Sequence, residues 1–293
     1  MTRVTQQLPR FSISQVSTLT ASFAEDVRAY AEAGADGIGI WEMKLDADSL
    51  EQFHASGLGS ATAVPAVPSI HPLPLLSGPD AARERVDALL HSLEVLAPYA
   101  PTAVLCFTGP GDRATAVGGV RVIAREAEQL GLRLSVEPFQ REGIESWSIL
   151  NTLGDAAEFV EEVGSDAVGI QLDVWHLWNT PDLLEEIPRH AHLIAGVHVG
   201  DWREPTRGWA DRVLPGDGAA DLPAILGALD DAGWDGFYDL EIFSDNGAFG
   251  SAYPDSLWDL GAAELARRGR LAFARSWQER RVTESTVVRR GET

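Results

Sequence analysis

The chain is poor in cysteine and lysine, and each scarcity excludes a class of chemistry. Cys106 is the only cysteine among the 293 residues, so neither an intrachain disulfide nor a cysteine-rich zinc site can form. It lies in the apolar run 103–107, where a buried strand thiol is the expected state. Lys44 is the only lysine, so a Schiff-base mechanism has one candidate and a lysine-dependent aldolase is disfavoured.

Positive charge and long apolar runs are also scarce. The sequence has 23 Lys and Arg against 44 Asp and Glu, and its net charge of −21 disfavours a nucleic-acid partner. No run approaches the ~18 apolar residues of a membrane span. The first residues lack the basic stretch followed by an apolar stretch that marks a secretory signal. The expectation is therefore a cytoplasmic protein without a nucleic-acid or membrane partner.

The 45% of hydrophobic residues instead form short apolar runs that alternate with helix-like segments. The runs are rich in Val, Ile and Leu and mostly do not alternate with polar residues, which is typical of parallel strands buried on both faces. The predicted strands are residues 11–16, 37–41, 61–67, 103–107, 132–136, 168–172, 194–199 and 237–242. The predicted helices are residues 23–33, 48–54, 80–96, 116–130, 155–163, 182–187, 222–232 and 257–278. Glycines predicted to end helices in the left-handed conformation are Gly34, Gly131, Gly164 and Gly233.

Eight strand–helix units without a break in composition predict an α/β fold, a closed (β/α)₈ TIM barrel with eight parallel strands. We expect a single domain over residues 1–293, with a flexible or partner-packing tail from about 281. The alternative is an open doubly wound sheet. That fold needs a glycine-rich turn after the first strand, and residues 17–20 contain no glycine.

Four residues that can bind a metal each come at the downstream end of a predicted strand. They are Glu137, Asp173, His198 and Glu241. The carboxyl ends of barrel strands meet at one rim, so these side chains are expected to converge there. Three carboxylates and one imidazole suit a divalent metal ion such as Mn²⁺, Mg²⁺, Co²⁺ or Zn²⁺. The alternative reading is a set of solvated loop carboxylates and a capping histidine.

His176 follows Asp173 by three residues and would face the same cavity if a turn begins there. It then orients a substrate hydroxyl, or it is a hydrogen-bonded loop histidine. Other residues expected to contact substrate at the rim are Trp175 and Trp202, which flank proposed site residues, and His71, after the third strand, which is otherwise a loop histidine. Flat aromatic faces suit sugar rings or an aromatic aglycone, whereas any single aromatic residue taken alone is better explained by ordinary packing.

Five segments resemble the xylose-isomerase-like TIM barrels, specifically the sugar phosphate isomerase/epimerase group. That group includes ketose 3-epimerases, hydroxypyruvate isomerases and inosose dehydratases. The segments are Val136-Glu137-Pro138, Leu172-Asp173-Val174-Trp175-His176, Val197-His198-Val199-Gly200-Asp201, Arg212-Val213-Leu214-Pro215-Gly216-Asp217-Gly218 and Asp239-Leu240-Glu241.

This resemblance implies an activity and a role for each matching residue. The four strand-end residues would bind one divalent metal ion, with Mn²⁺ favoured, and Glu137 and Glu241 would also be the catalytic acid–base pair. His176 and Arg212 would bind substrate oxygen atoms. The implied reaction is isomerisation or epimerisation of a small sugar or keto-sugar through an enediolate. In the related endonuclease IV group an Asp-x-His pair follows strand seven. Here Asp211 is followed by Arg212 and Val213, so a nuclease is disfavoured.

Two further functions stay open from the sequence. The same proton removal could be followed by loss of a leaving group, which gives a metal-dependent lyase. Such a lyase would be a dehydratase of the inosose or dehydroshikimate type, or an enzyme that cleaves an oxidised glycoside. The chain could also be a non-catalytic sugar-binding or partner subunit. A homo-oligomer and a hetero-oligomer are both compatible with the sequence.

Overall fold

The computed structural model of the protein describes residues 8–74, 76–140 and 147–280. The tail predicted from about residue 281 lies outside the described residues. The strands are β1 (Phe11–Ser14), β2 (Gly37–Gly39), β3 (Gly59–Ser60), β4 (Thr62–Ala63), β5 (Ala103–Cys106), β6 (Leu134–Val136), β7 (Val168–Asp173), β8 (Ile194–Val199), β9 (Asp201–Trp202), β10 (Arg212–Val213) and β11 (Tyr238–Leu240). The helices are α1 (Phe23–Glu32), α2 (Ser49–Ser56), α3 (Ala82–Leu96), α4 (Arg113–Leu130), α5 (Leu153–Val163), α6 (Val174–Leu177), α7 (Leu183–His190), α8 (Leu222–Asp231) and α9 (Ala262–Glu279).

The main sheet is a parallel barrel. Its strands run in the order β3-β2-β1-β11-β8-β7-β6-β5-β4, and each neighbouring pair is parallel. β3 and β4, at the two ends of this order, are joined by the single residue Ala61. The Ala61 N–H donates to the Ile38 carbonyl at 2.9 Å, and the Thr102 N–H donates to the Ala61 carbonyl at 3.2 Å. β3 and β4 therefore form one barrel strand with a break at Ala61. Counted in this way, the nine strands of the sheet make the predicted barrel of eight parallel strands, which is confirmed.

Local sequence explains where the helices begin and end. α1 starts at a capping box in which the Glu25 N–H donates to Ser22 Oγ and the Ser22 N–H donates to the Glu25 carboxylate. α4 starts at Arg113, three residues before its predicted start, because the Asp112 carboxylate accepts the N–H groups of Ala114 and Thr115. The four glycines predicted to end helices all have positive φ.

Two predicted elements differ most from the structure, and two further features were not predicted. The third barrel strand, formed by β3 and β4, spans residues 59–63 rather than 61–67. Pro65 and Pro68 have no N–H group, so the hydrogen bonds between strands cannot continue through them. The last predicted helix is interrupted: a 3-10 turn at Leu257–Asp259 is followed by extended Leu260, and α9 begins only at Ala262. The antiparallel hairpin of β9 and β10 and the one-turn helix α6 were not predicted.

The apolar core lies mainly between the barrel and its helices. A second apolar cluster occupies the end of the barrel where the strands finish and comprises Leu73, Leu105, Phe107, Phe139, Trp147, Trp175 and Trp202. This cluster surrounds the polar groups described below. Among the described helices, none combines the length and apolarity needed to cross a membrane.

Candidate metal and active site

The four strand-end residues predicted from the sequence come together inside the barrel rim. Glu137 directly follows β6, Asp173 ends β7, His198 lies in β8 and Glu241 directly follows β11. Each side chain is buried, with at most 5% of the residue exposed. Asp173 and His198 are direct partners in the register of β7 and β8, and they share one layer of the barrel. Glu241 lies two residues beyond Asp239, the register partner of His198 in β11, and so approaches from the layer above.

The distances within this group fit a divalent cation. His198 Nδ1 lies 3.7 Å from Glu137 Oε1 and 3.4 Å from Glu241 Oε1. One ligand atom each from Glu137, Asp173 and His198 lie within 4.8 Å of one another. Glu137 Oε1 and His198 Nδ1 have no hydrogen-bond partner among the described residues. Buried polar atoms without a partner are costly, and a cation bound by oxygen and imidazole nitrogen would satisfy them.

Arg212 and His176 lie against the same group. Arg212 Nη1 donates to Asp173 Oδ2 at 2.7 Å and lies 3.0 Å from Glu241 Oε2, and its Nη2 lies 3.4 Å from His176 Nε2. The guanidinium carbon of Arg212 is 4.9 Å from the centre of the Trp175 ring, and this cation–π contact restricts the orientation of the guanidinium plane. The expectation that Arg212 and His176 reach the site therefore agrees with where the structure places them.

Two local structures that the sequence did not predict place these two side chains. The Asp173 carboxylate caps α6 by accepting the Trp175 N–H at 2.9 Å, and this turn brings His176 to 3.4 Å from Asp173 Oδ2. The hairpin of β9 and β10 carries Arg212, which is the register partner of Trp202. The hairpin brings the Arg212 guanidinium to residues of β7 and of the segment after β11.

Burial and charge distribute protons unevenly over the acidic groups. Burial raises the pKa of Glu137 to about 8, because attraction to His198 only partly offsets the loss of hydration. Burial alone would also raise the pKa of Glu241, but the positive charges of His198 and Arg212 outweigh it and lower that pKa to about 2. A divalent cation placed among these groups would favour the charged form of every carboxylate.

The two histidines of the site have opposite pKa shifts. Burial alone would lower the pKa of His198, but the carboxylates of Glu241 and Glu137 outweigh it and hold that pKa well above its ordinary value. Burial and the charge of Arg212 hold the pKa of His176 well below its ordinary value. A neutral His176 can therefore accept a hydrogen bond from Arg212 and still offer one ring N–H to a substrate.

A cavity opens above this group. Its empty space, together with the open solvent at its mouth, amounts to about 790 Å³. Glu137, His176, Arg212 and Glu241 are the charged or polar groups among the described residues that line it. The walls are otherwise apolar, and their aromatic residues are Trp41, Phe107, Phe139, Trp147, Trp209, Phe243 and Phe249.

Three residues expected to contact substrate do not line this cavity. The His71 ring lies against Gly111, where an added Cβ would come within 2.2 Å of it, and its Nε2 is 3.1 Å from the Asp112 carbonyl. Trp175 and Trp202 are buried with ring centres 4.8 Å apart, and Trp175 lies against Arg212. Trp175 therefore packs against the Arg212 guanidinium, and Trp202 packs against Trp175.

The residues that sequence reasoning missed include the wall residues Phe107 and Phe249 and the acidic residue Asp239. Phe107 directly follows β5, so the strand-end rule could have found it, whereas Phe249 lies in a loop without any periodic signal. Asp239 interrupts the apolar strand β11, and a charge in a strand buried on both faces was the available signal. Lys44, the one Schiff-base candidate, does not line the cavity and forms a largely buried ion pair with Asp26.

The fold and site define a class of protein, and a family comparison gives the same class. The family model of the xylose isomerase-like TIM barrel matches residues 27–270. The chain belongs to this family.

Individual relatives include sugar epimerases and isomerases. The chain is 32% identical over 173 residues to the D-psicose 3-epimerase of Enterocloster bolteae, a match that covers 56% of the chain and 54% of the relative. It is 33% identical over 98 residues to the inosose isomerase of Halalkalibacterium halodurans, which covers 32% of the chain and 35% of the relative. The matched part thus spans about half the length of the first relative and about a third of the second.

Solved structures agree with the fold. A protein from Sinorhizobium meliloti superimposes with a TM-score of 0.80 at 25% identity, over 92% of this chain and 99% of that one. The IOLI protein, whose structure contains a bound zinc atom, superimposes with a TM-score of 0.73 at 20% identity, over 91% of this chain and 97% of that one.

Proposed function

We propose that the protein is a divalent-metal-dependent isomerase or epimerase of a small sugar or keto-sugar. The observation that carries this proposal is the buried group of three carboxylates and one imidazole at the floor of the cavity. The names of the curated relatives, a ketose epimerase and an inosose isomerase, favour the same reaction class.

Glu137, Asp173, His198 and Glu241 would hold the metal ion. When bound, a divalent cation polarises a substrate carbonyl and stabilises the negative charge that develops on it. Mn²⁺ is our first choice, and the zinc atom in the IOLI structure keeps Zn²⁺ as an alternative.

The protein's own groups move the proton and orient the substrate. Glu241, at the cavity floor, removes the proton from the carbon next to the carbonyl, which leaves an enediolate. Glu137, which faces the same His198 nitrogen as Glu241, returns a proton to give the epimer, or a proton returns to the other carbon to give the isomer. His176 and Arg212 line the same floor, so both can donate hydrogen bonds to substrate oxygens. The apolar walls exclude water from the enediolate.

The test is hydrogen exchange in deuterated water. The native protein should contain about one divalent ion per chain and should incorporate deuterium next to the carbonyl of a keto-sugar. Chelation should abolish the exchange, and Mn²⁺ should restore it. Glu241→Gln should slow the exchange by about 10²–10⁴-fold, because a positioned base is lost. Glu264→Gln, on the exposed face of α9, is the matched control and should leave it unchanged. Full exchange by Glu241→Gln would contradict the proposal.

A lyase acting on an oxidised glycoside is a second candidate, and the aromatic cavity walls favour it. Of the described residues lining the cavity, those above the floor have no charged group to bind the hydroxyls of a polyol. Aromatic walls instead suit an apolar aglycone attached to the sugar. The same proton removal would then be followed by departure of the aglycone.

Product mass separates the two candidates. A keto-glycoside with an aromatic aglycone should lose that aglycone if the protein is a lyase, whereas an isomerase leaves the mass unchanged. Trp147→Ala should raise KM for the aryl glycoside more than for the free keto-sugar, because Trp147 lines the wall. Trp234→Ala, away from this cavity, is the matched control. An equal effect of Trp147→Ala on both substrates would count against aglycone binding.

A further inference from the structure

Asp239 is a buried carboxylate for which the proposed reaction has no use. It lies in β11 with 1% of its surface exposed, two residues before Glu241. Neither of its carboxylate oxygens has a hydrogen-bond partner among the described residues. A buried carboxylate without a partner destabilises a fold, so its presence in the barrel interior calls for a compensating role.

Asp239 faces one edge of the His198 ring. The two residues are direct partners in the register of β8 and β11, and both side chains point into the barrel. Asp239 Oδ2 lies 3.8 Å from His198 Nε2, which has no hydrogen-bond partner among the described residues. At the other edge of the ring, Nδ1 faces Glu137 and Glu241 at 3.7 and 3.4 Å. The imidazole therefore lies between two separate acidic environments.

Gly39 provides the space that Asp239 occupies. A Cβ added at Gly39 would come within 2.3 Å of Asp239 Oδ2. Gly39 has no positive φ, so the close approach of the carboxylate and of Ser14 Cα, which would lie 2.9 Å from that Cβ, accounts for glycine here. The absence of a side chain at Gly39 on β2 thus leaves room for the Asp239 carboxylate next to His198.

We propose that Asp239 is a positioning residue that keeps the proton of the His198 ring on Nε2. Nδ1 then keeps its lone pair directed toward the carboxylates of Glu137 and Glu241. A carboxylate beside one nitrogen of an imidazole favours the N–H at that nitrogen and raises the basicity of the other. This inference rests on the proposed function, since the lone pair on Nδ1 is the one that would bind the metal ion.

The direct test is the tautomer of His198 in the Mg²⁺-loaded protein, read by ¹⁵N-histidine NMR. The signal is assigned by its absence in His198→Gln. We expect the proton on Nε2 in the wild-type protein. A proton on Nδ1 would overturn the inference without any Asp239 variant.

Asp239→Asn tests the same contact by metal affinity and by stability. Calorimetric titration with Mn²⁺ should show affinity weaker by about 10–100-fold, as for loss of a group that orients a metal-binding histidine. The unfolding midpoint in chelator should stay the same or rise, because the variant removes a buried carboxylate that has no hydrogen-bond partner among the described residues. A merely structural residue would give a lower midpoint instead. Ser60→Ala, which also alters a buried polar side chain of a barrel strand, is the control and should leave Mn²⁺ affinity unchanged.

The outcomes separate this inference from the proposed function. If the wild-type protein binds no divalent ion, the proposed function fails and the inference fails with it. If the wild-type protein binds Mn²⁺ and Asp239→Asn binds it equally well, only the role of Asp239 is wrong. If Asp239→Asn does not fold, Asp239→Ser, which also removes the carboxylate, is titrated with Mn²⁺ in its place, and affinity equal to that of the wild type would overturn the inference.

Discussion

Arg212 decides the charge balance of the cavity floor. Its guanidinium is buried and lies 2.7 Å from the Asp173 carboxylate and 3.0 Å from the Glu241 carboxylate. No other described lysine or arginine side chain forms an ion pair with these two carboxylates. Its removal would leave two buried carboxylates without that cation. A buried ion pair that loses one partner is far more costly than the pair is stabilising.

We therefore expect Arg212→Met, measured by urea unfolding in chelator, to lower stability by about 3–5 kcal/mol at pH 7. The loss should shrink at acid pH. The folded pKa of Glu241 is lowered to about 2, so its contribution is present above its ordinary pKa of 4.5 and is lost as pH falls toward about 2. Arg268→Met, an exposed arginine paired with Glu264, is the control and should change stability by at most about 1 kcal/mol. A loss at pH 7 no larger than that of the control would contradict the prediction.

Asp201 fixes the hairpin that carries Arg212. It is fully buried at the start of β9, and its carboxylate accepts the N–H groups of Trp202, Gly216, Gly218 and Ala220 at 2.8–3.1 Å. A Cβ at Gly218 would come within 2.4 Å of Asp201 Oδ1, so glycine is needed for this close approach. The motif Pro215-Gly216-Asp217-Gly218 is thus a backbone cradle for one carboxylate.

Asp201→Ala should release this turn, since several buried N–H groups would lose their acceptor. We expect a stability loss of at least about 2 kcal/mol and faster hydrogen exchange over residues 212–220. Asp217→Ala, an exposed residue of the same turn, should change stability by no more than about 0.5 kcal/mol. Equal exchange rates over residues 212–220 in the two variants would refute this role for Asp201.

The whole chain carries a net charge of −21, and its sequence pI is about 4.6. Exposed ion pairs, such as Arg113 with Glu162, offset little of the resulting repulsion because each contributes about 0–1 kcal/mol. Net charge of this size destabilises the compact state through self-repulsion.

Salt should therefore stabilise the protein at neutral pH. Raising NaCl from about 0.01 M to about 0.1 M shortens the Debye length from ~30 Å to ~10 Å, and we expect Tm to rise. A gain of about 1 kcal/mol would correspond to about 2–4 °C. The control is the same titration near pH 4.6, where the net charge and the salt effect should both be small. A fall in Tm with salt at pH 7 would mean that attractive ion pairs dominate.

The sequence by itself determined the barrel and the convergence of four strand-end residues. Both follow from short-range patterns, because apolar runs of strand length and helix-ending glycines are read within a few residues of the chain. The carboxyl ends of parallel strands must then meet at one rim, so Glu137, Asp173, His198 and Glu241 could be placed without coordinates.

Only the tertiary structure decided what surrounds that group. Arg212 reaches Asp173, 39 residues away along the chain, through a hairpin that no periodic pattern announces. The contact of Asp239 with His198 depends on the register of two strands and on the missing side chain at Gly39. Local sequence predicts elements because their hydrogen bonds and caps are local, whereas contacts between distant segments depend on how those elements pack.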